Sequence, residues 1–163
     1  MVRLKRVKHL ILNVSNLQKS TDFYTDILGF QIDTKKNIST FLTCTEINHD
    51  LTLFQLKATH VNKTGLQRGL NHIVLQVEDF GTLTEYYNIL EMNKVEIKDA
   101  IDYGMTSSIS FQDPDGNGID LFCNNQDIPK DELEITHSSD GLEIIRPTKR
   151  KKKKLIFAHV NSF

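Results

Sequence analysis

Two short stretches of the chain, residues 9–14 and residues 72–77, are rich in the apolar residues that favour β-strands, and each begins with a histidine. In the first stretch, apolar side chains at every second position from Leu10 to Val14 would lie on one face of a strand. His9 would then lie on the opposite face. Both stretches therefore predict half-buried β-strands that begin with a histidine.

The two stretches open an internal repeat, in which each residue of the first copy aligns with a residue 63 positions later. Residues 9–14 align with residues 72–77 without a gap, and Phe23 and Tyr24 align with Tyr86 and Tyr87. The residue class agrees at nearly every apolar position. The chain therefore predicts two copies of one structural unit.

Each copy predicts a strand, a helix and three further strands. The first helix follows the N-cap candidates Ser15 and Asn16 and ends at Gly29, and the second opens at Asp79. Further strands are predicted near residues 30–33, 40–43 and 51–56 in the first copy, and near residues 95–98, 107–111 and 119–123 in the second.

The predicted fold class is α+β, with two βαβββ modules. We expect the first module at residues 1–57, a connector at residues 58–68, the second module at residues 69–124 and a C-terminal extension at residues 125–163. In that extension, residues 141–145 predict a short strand. The basic run at residues 149–154 lacks interleaved aromatic residues, which favours a solvated tail that is poorly ordered in part.

Net charge and composition argue against nucleic-acid binding and against a membrane-spanning protein. The net charge is −1, and the basic run contributes +6, so the rest of the chain carries −7 and shows no basic stripe for nucleic acid. No apolar run approaches the roughly 20 residues that span a bilayer, and the N-terminus lacks the apolar core of a signal peptide. We therefore expect a cytoplasmic protein with neither a membrane nor a nucleic-acid partner.

Three residues form a candidate metal site. Asp120 follows a dense turn signal at residues 113–118 and lies between two apolar strand neighbours, so its carboxylate needs a polar partner. If the two sheets close together, His9 and His72 would converge on a shared pocket. Two histidines and one carboxylate form the facial triad of non-haem iron. The alternative is that these are satisfied structural side chains.

Three segments resemble the vicinal oxygen chelate proteins, a superfamily that includes glyoxalases, bleomycin-resistance proteins and extradiol dioxygenases. Residues 7–30 resemble the opening of the first module, residues 69–73 the start of the second, and residues 111–121 its closing hairpin and ligand strand. The resemblance covers about residues 5–124. It implies a shared open barrel around one metal site and suggests a homodimer.

The resemblance also implies which residues bind the metal, and members of the superfamily differ in this set of ligands. Thr52 aligns with Asp120 at a position where glyoxalases carry a further ligand, so three ligands remain, as in extradiol dioxygenases and fosfomycin-modifying members. His49 stands where the dioxygenases carry an acid/base histidine. Tyr103 and Ser110 replace a histidine and a tyrosine that orient substrate and oxygen. Asp120 replaces the usual glutamate.

The leading hypothesis is therefore an extradiol ring-cleaving dioxygenase that acts on a catechol-like small molecule. Fe(II) would bind His9, His72 and Asp120, with His49 and Tyr103 as catalytic residues. A second hypothesis is a glyoxalase-like lyase or isomerase, or a thiol transferase, that uses Mn, Zn or Ni as a Lewis acid. A third is a small-molecule binding or resistance module without metal.

Overall fold

The structure is a computed structural model that describes residues 3, 5–45, 50–56 and 70–125, together with the backbone of three short strands beyond them. The chain forms two compact units. Unit 1 comprises Met1–Gly69 and Asp113–Gly116, and unit 2 comprises Leu70–Gln112 and Asn117–Phe163. Each unit is built around one mixed β-sheet.

Unit 1 holds four strands, a short α-helix and a π-helical turn. In chain order these are β1 (Leu10–Val14), α1 (Leu17–Asp22), the π-helical turn (Phe23–Ile27), β2 (Gln31–Lys36), β3 (Ser39–Thr43) and β4 (Leu51–Gln55). The strand order is β1-β4-β3-β2. The first strand pairs with β4 in parallel, and the other neighbours are antiparallel.

The helical segment of unit 1 begins and ends where the sequence predicts. The Asn16 side chain accepts a hydrogen bond from the Lys19 backbone amide at 2.9 Å, and Gly29 takes a φ of 74°. The segment is not one continuous α-helix, however. Thr21 and Thr25 each donate a side-chain hydrogen bond to a carbonyl four residues earlier, which loosens the backbone ladder where the π-helical turn forms.

Unit 2 repeats this arrangement and extends it. Its elements are β5 (His72–Gln76), α2 (Phe80–Met92), β6 (Asp99–Asp102), β7 (Thr106–Gln112), β8 (Gly118–Asn124), β9 (Leu133–His137), β10 (Glu143–Pro147) and β11 (Lys153–Lys154). The sheet order is β11-β6-β7-β8-β5, with β5 parallel to β8. The strands β9 and β10 form a separate antiparallel pair, and β10 overlaps the strand predicted at residues 141–145.

The predicted α+β class and the strand-helix-strand-strand-strand order of each copy are confirmed. The strand predicted at residues 95–98 is wrong, because β6 begins only at Asp99. Lys94 adopts a φ of 56° and the Val95 amide bonds back to the Leu90 carbonyl, so the chain is still ending the helix there. No helix in the described ranges is long and apolar enough to cross a bilayer.

Each core lies between the sheet and its helix. Strand residues that face the helix are buried, whereas Ile11 and Val74 on the opposite face are largely exposed. The buried apolar strand residues include Leu12, Val14, Leu42, Leu51 and Leu53 in unit 1, and Ile73, Ile109, Phe111, Ile119 and Leu121 in unit 2. We call the face of each sheet turned away from its helix the open face.

The short segment Asp113–Gly116 is anchored within unit 1 by buried polar contacts. The Tyr24 hydroxyl donates a hydrogen bond to Asp113 Oδ2 at 3.1 Å, and both residues are at most 5% exposed. Asp115 accepts hydrogen bonds from the Ser15 amide and the Ser20 hydroxyl. Burial, and then the charge of Asp113, raise the pKa of Tyr24 well above its usual range. From this segment the chain continues into β8, which carries Asp120.

Candidate metal site

The structure brings two of the three predicted metal ligands together on the open face of unit 2. His72 begins β5, and Asp120 lies in the middle of the neighbouring strand β8. The distance between His72 Nε2 and Asp120 Oδ2 is 3.5 Å, and the side chains are 41% and 25% exposed. The pair is therefore within ion-pair distance and reachable by a small molecule or ion.

Strand alternation directs both side chains away from the core. Ile119 and Leu121, on either side of Asp120, are buried against the helix, and Ile73 next to His72 is buried in the same layer. Since a shift of one residue in either strand would expose these apolar side chains, the core fixes the orientation of the pair. The sequence-based prediction that Asp120 points opposite to Ile119 and Leu121 is confirmed.

Gly118 allows β8 to approach β5 closely beside His72. It is the register partner of His72 in the parallel pair. A Cβ atom at position 118 would lie 3.0 Å from both the Asn71 carbonyl oxygen and His72 Cβ. These atoms belong to the strand backbone or lie directly on it, so they have little freedom to move.

Replacing Gly118 with alanine should therefore displace His72 and weaken metal binding about tenfold, the lower end of the range for perturbed ligand orientation. Overpacking should also lower the free energy of unfolding by about 1–3 kcal/mol. Metal titration and thermal unfolding of the variant measure the two effects. Gly81→Ala is the control, since its nearest contact is the exposed side chain of Asp79, which caps α2 and does not belong to the candidate site. Unchanged metal affinity in Gly118→Ala would contradict the prediction.

The pair suits a divalent metal. Imidazole nitrogen and carboxylate oxygen are common ligands of Zn and Fe, with bonds of about 2.0–2.2 Å to Zn. Because twice that length exceeds the 3.5 Å separation, one ion can contact His72 and Asp120 together. Within unit 2, no further His, Cys, Asp or Glu among the described residues completes a group of three. His9 is exposed, directly before β1 of unit 1, and its role as third ligand stays a prediction.

Unit 1 presents the same strand register with a different residue at the carboxylate position. Ile11 pairs with Thr52 just as Val74 pairs with Asp120, so Thr52 occupies the place of Asp120. Thr52 is only 4% exposed, and its hydroxyl is buried without a hydrogen-bond partner in the part of the chain that the structure describes. The sequence identified Thr52 only as a poor metal ligand, because the pattern of residues does not show whether a single hydroxyl is buried.

The predicted acid/base residue His49 lies outside the described residues. The strand that follows begins at Leu51, and Asp50 anchors the described part of the preceding turn. Its Oδ2 atom accepts hydrogen bonds from the Thr43 hydroxyl and the Cys44 amide, both at 2.9 Å. Partial burial raises the pKa of Asp50, but these hydrogen bonds outweigh burial, so its pKa lies below its usual value.

Tyr103 and Ser110 both lie near the strands that build the pair. Tyr103 is half-buried in the turn between β6 and β7, and its amide bonds to the Thr106 carbonyl. Ser110 lies directly opposite Asp120 in the antiparallel β7–β8 pair and therefore shares its face. A small side chain thus stands beside the carboxylate. The catalytic role predicted for Tyr103 stays a prediction.

Known proteins are similar to this chain in both sequence and fold. Residues 6–121 match the sequence model of the Glyoxalase/Bleomycin resistance protein/Dioxygenase superfamily. Biphenyl-2,3-diol 1,2-dioxygenase 3 of Rhodococcus globerulus is 27% identical over 136 residues, which cover 83% of this chain and 72% of that protein. Metallothiol transferase FosB of Staphylococcus haemolyticus is 30% identical over 120 residues, which cover 72% of this chain and 83% of that protein.

A solved structure supports the same assignment at the level of the fold. The glyoxylase/bleomycin resistance protein/dioxygenase domain from Frankia sp. EAN1pec has a TM-score of 0.65 at 18% sequence identity, and covers 76% of this chain and 100% of that chain. The family match spans both copies of the repeat and the strands that carry His72 and Asp120. The chain therefore belongs to the glyoxalase/bleomycin resistance protein/dioxygenase superfamily, the vicinal oxygen chelate proteins.

Proposed function

We propose that this protein is an extradiol-type dioxygenase that opens the ring of a catechol-like small molecule. The observation that carries the proposal is the His72–Asp120 pair, which places an imidazole nitrogen and a carboxylate oxygen 3.5 Å apart on an accessible sheet face. His9 would be the third ligand. The similarity to a biphenyl-2,3-diol dioxygenase over 83% of this chain supports the choice of a diol substrate.

The open face of unit 2 offers both polar groups and apolar surface along strands β5–β8. The described side chains on that face of strands β5–β8 include neither lysine nor arginine. They are His72, Val74, Gln76, Asp99, Ile101, Thr106, Ser108, Ser110, Gln112, Asp120, Phe122 and Asn124. The exposed Val74 and the half-buried Phe122 offer apolar contact to a ring.

The residues of the chain would bind, orient and deprotonate the diol. His72, Asp120 and His9 would hold a divalent ion, and ferrous iron would supply the redox chemistry with oxygen while leaving coordination positions open. His49 would accept a proton from one substrate hydroxyl, which suits a histidine because it titrates near neutral pH. The Tyr103 hydroxyl would donate a hydrogen bond that orients the substrate.

Oxygen uptake tests this proposal. Protein loaded anaerobically with ferrous iron should consume oxygen when catechol or biphenyl-2,3-diol is added, with one ring-opened product formed for each oxygen consumed. Gln76→Ala, on the same face of β5, should retain uptake, whereas Asp120→Ala should abolish it. Protein with bound iron that consumes no oxygen with any diol would overturn the proposal.

A second candidate is a thiol transferase, lyase or isomerase that uses the metal only as a Lewis acid. The 30% identity to metallothiol transferase FosB over 83% of that protein favours it. Activity with redox-inert zinc and without oxygen would establish this candidate. A metal that binds only the folded state raises the melting temperature. If chelation leaves that temperature unchanged, both the dioxygenase and the Lewis-acid enzyme are ruled out.

A further inference from the structure

The side chain of Asn125, directly after β8, clamps the turn between β6 and β7. Its Nδ2 atom donates hydrogen bonds to the Gly104 carbonyl at 2.8 Å and to Asp102 Oδ1 at 3.2 Å. The Ser107 hydroxyl lies 3.1 Å from Nδ2 and 3.3 Å from Oδ1 of the same side chain. The Asn125 backbone amide donates to the Met105 carbonyl at 2.6 Å. One residue therefore bonds to both ends and to the middle of the turn.

The turn itself is tight and depends on a glycine. The Tyr103 amide donates to the Thr106 carbonyl at 2.8 Å, so only two residues separate the paired ends. Gly104 takes the first of these positions with a φ of 90°, a backbone conformation that favours glycine in two-residue hairpin turns. Its amide donates to Asp102 Oδ1 at 2.7 Å. Both the amide and the carbonyl of Gly104 thus have side-chain partners, which fix its conformation.

The clamp lies on the helix side of the sheet, whereas Tyr103 lies on the other side. Among the partners of Asn125, Ser107 is 1% exposed and belongs to the buried face of β7. Tyr103 stands opposite Thr106, so strand alternation places it on the open face that carries Asp120. Asn125 therefore acts on a molecule bound to the open face only through the turn.

Tyr103 is distant from the candidate metal ligands along the sheet. Its partner Thr106 is four residues from Ser110, which stands opposite Asp120, so about 13 Å of strand separate the two positions. The half-buried Phe122 lies between them on the same face. A diol held by the metal ligands would therefore meet Tyr103 with a ring substituent that passes Phe122, rather than with its hydroxyls.

We infer that Asn125 is a positioning residue, which holds the β6–β7 turn so that Tyr103 contacts the ring substituent of a bound diol. This inference rests on the proposed function and on the predicted role of Tyr103. It also narrows the substrate class to catechols that carry an apolar or aromatic substituent, for which Phe122 supplies a neighbouring aromatic contact. A catechol without a substituent would not reach the turn.

Amide hydrogen exchange tests the clamp without any added metal. In Asn125→Ala, the amides of Tyr103 and Gly104 should exchange about tenfold faster than in the wild type, because the turn loses hydrogen bonds that hold it closed. Asn93→Ala is the matched control, since the Asn93 side chain donates to the Ile89 carbonyl at 2.8 Å at the end of α2. Asn125→Ser keeps one donor, should fall between the two, and carries the test if Asn125→Ala does not fold. Unchanged exchange in the Asn125 variants would overturn the inference.

Calorimetric titration of anaerobic, iron-loaded protein tests the action through Tyr103. The wild type should bind biphenyl-2,3-diol about tenfold more tightly than catechol. Asn125→Ala should reduce this preference about fivefold by weakening only the binding of biphenyl-2,3-diol, and Asn93→Ala should leave the preference unchanged. In a Tyr103→Ala background, Asn125→Ala should have no further effect on the preference, because two residues that act through one contact are not additive.

The possible outcomes separate the inference from the proposed function. Equal loss of affinity for both diols in Asn125→Ala, or additive effects with Tyr103→Ala, would show that the clamp serves only the hairpin, and would overturn the inference. A wild type without preference between the diols would also overturn it. These outcomes leave the proposed function intact. If the iron-loaded wild type binds neither diol, the proposed function fails first, and the inference fails with it.

Discussion

Replacing His72 with alanine should remove most of the metal that the protein holds after purification without chelators. His72 Nε2 lies 3.5 Å from Asp120 Oδ2, so the substitution would remove one of the two predicted ligands that the structure brings together. Loss of a group that merely orients a ligand weakens metal binding about 10–100-fold, and loss of the ligand itself should reach at least the upper end of that range. Elemental analysis of wild type and variant measures the effect.

The control for this experiment is Gln76→Ala, because Gln76 lies on the same face of β5, four residues along the strand. His9→Ala tests the predicted ligand from unit 1 by the same measurement. Loss of metal in His72→Ala with full retention in His9→Ala would restrict the ligand set to unit 2. A wild type that binds no metal, even after anaerobic loading with iron, would contradict the metal site altogether.

Removing the Tyr24 hydroxyl should destabilise the protein by about 2 kcal/mol, because Tyr24→Phe removes a hydrogen bond to the buried Asp113 carboxylate. For a chain of this size the melting temperature should fall by about 4–8 °C. Tyr24 is 1% exposed, so water would not readily replace the lost hydrogen bond. Thermal unfolding at neutral pH measures the change. Tyr87→Phe, on the half-buried α2 surface, is the matched control and should cost less.

The same substitution should change the response to alkaline pH. A tyrosine in the unfolded chain ionises near pH 10, whereas burial and Asp113 hold the pKa of folded Tyr24 above that value. The contribution of Tyr24 to stability is therefore complete below about pH 10 and is lost as the pH rises, by up to about 1.4 kcal/mol per pH unit. Unfolding free energies between pH 9 and 11 should fall less steeply for Tyr24→Phe. Equal slopes would contradict the burial of an un-ionised phenol.

The sequence by itself determined the repeat, the fold class and the direction of the candidate ligands. Alternation with a period of two places His72 and Asp120 opposite their apolar neighbours, whatever the rest of the chain does. The turn and cap residues Asn16, Gly29 and Asp79 act within a few residues of themselves, so their roles were also readable. The motifs that resemble the family are also runs of neighbouring residues, so they too could be recognised in the sequence.

Only the tertiary structure decided which distant residues meet. It placed Asp113 against Tyr24, 89 positions earlier in the chain, and buried the Thr52 hydroxyl with no hydrogen-bond partner among the described residues. It also started β6 at Asp99 rather than near residue 95, because the turn that ends α2 extends through Lys94. Such features arise from packing between elements far apart in sequence. The periodicity of a segment predicts which face of the strand or helix a side chain occupies, but it carries no information about what packs against that face.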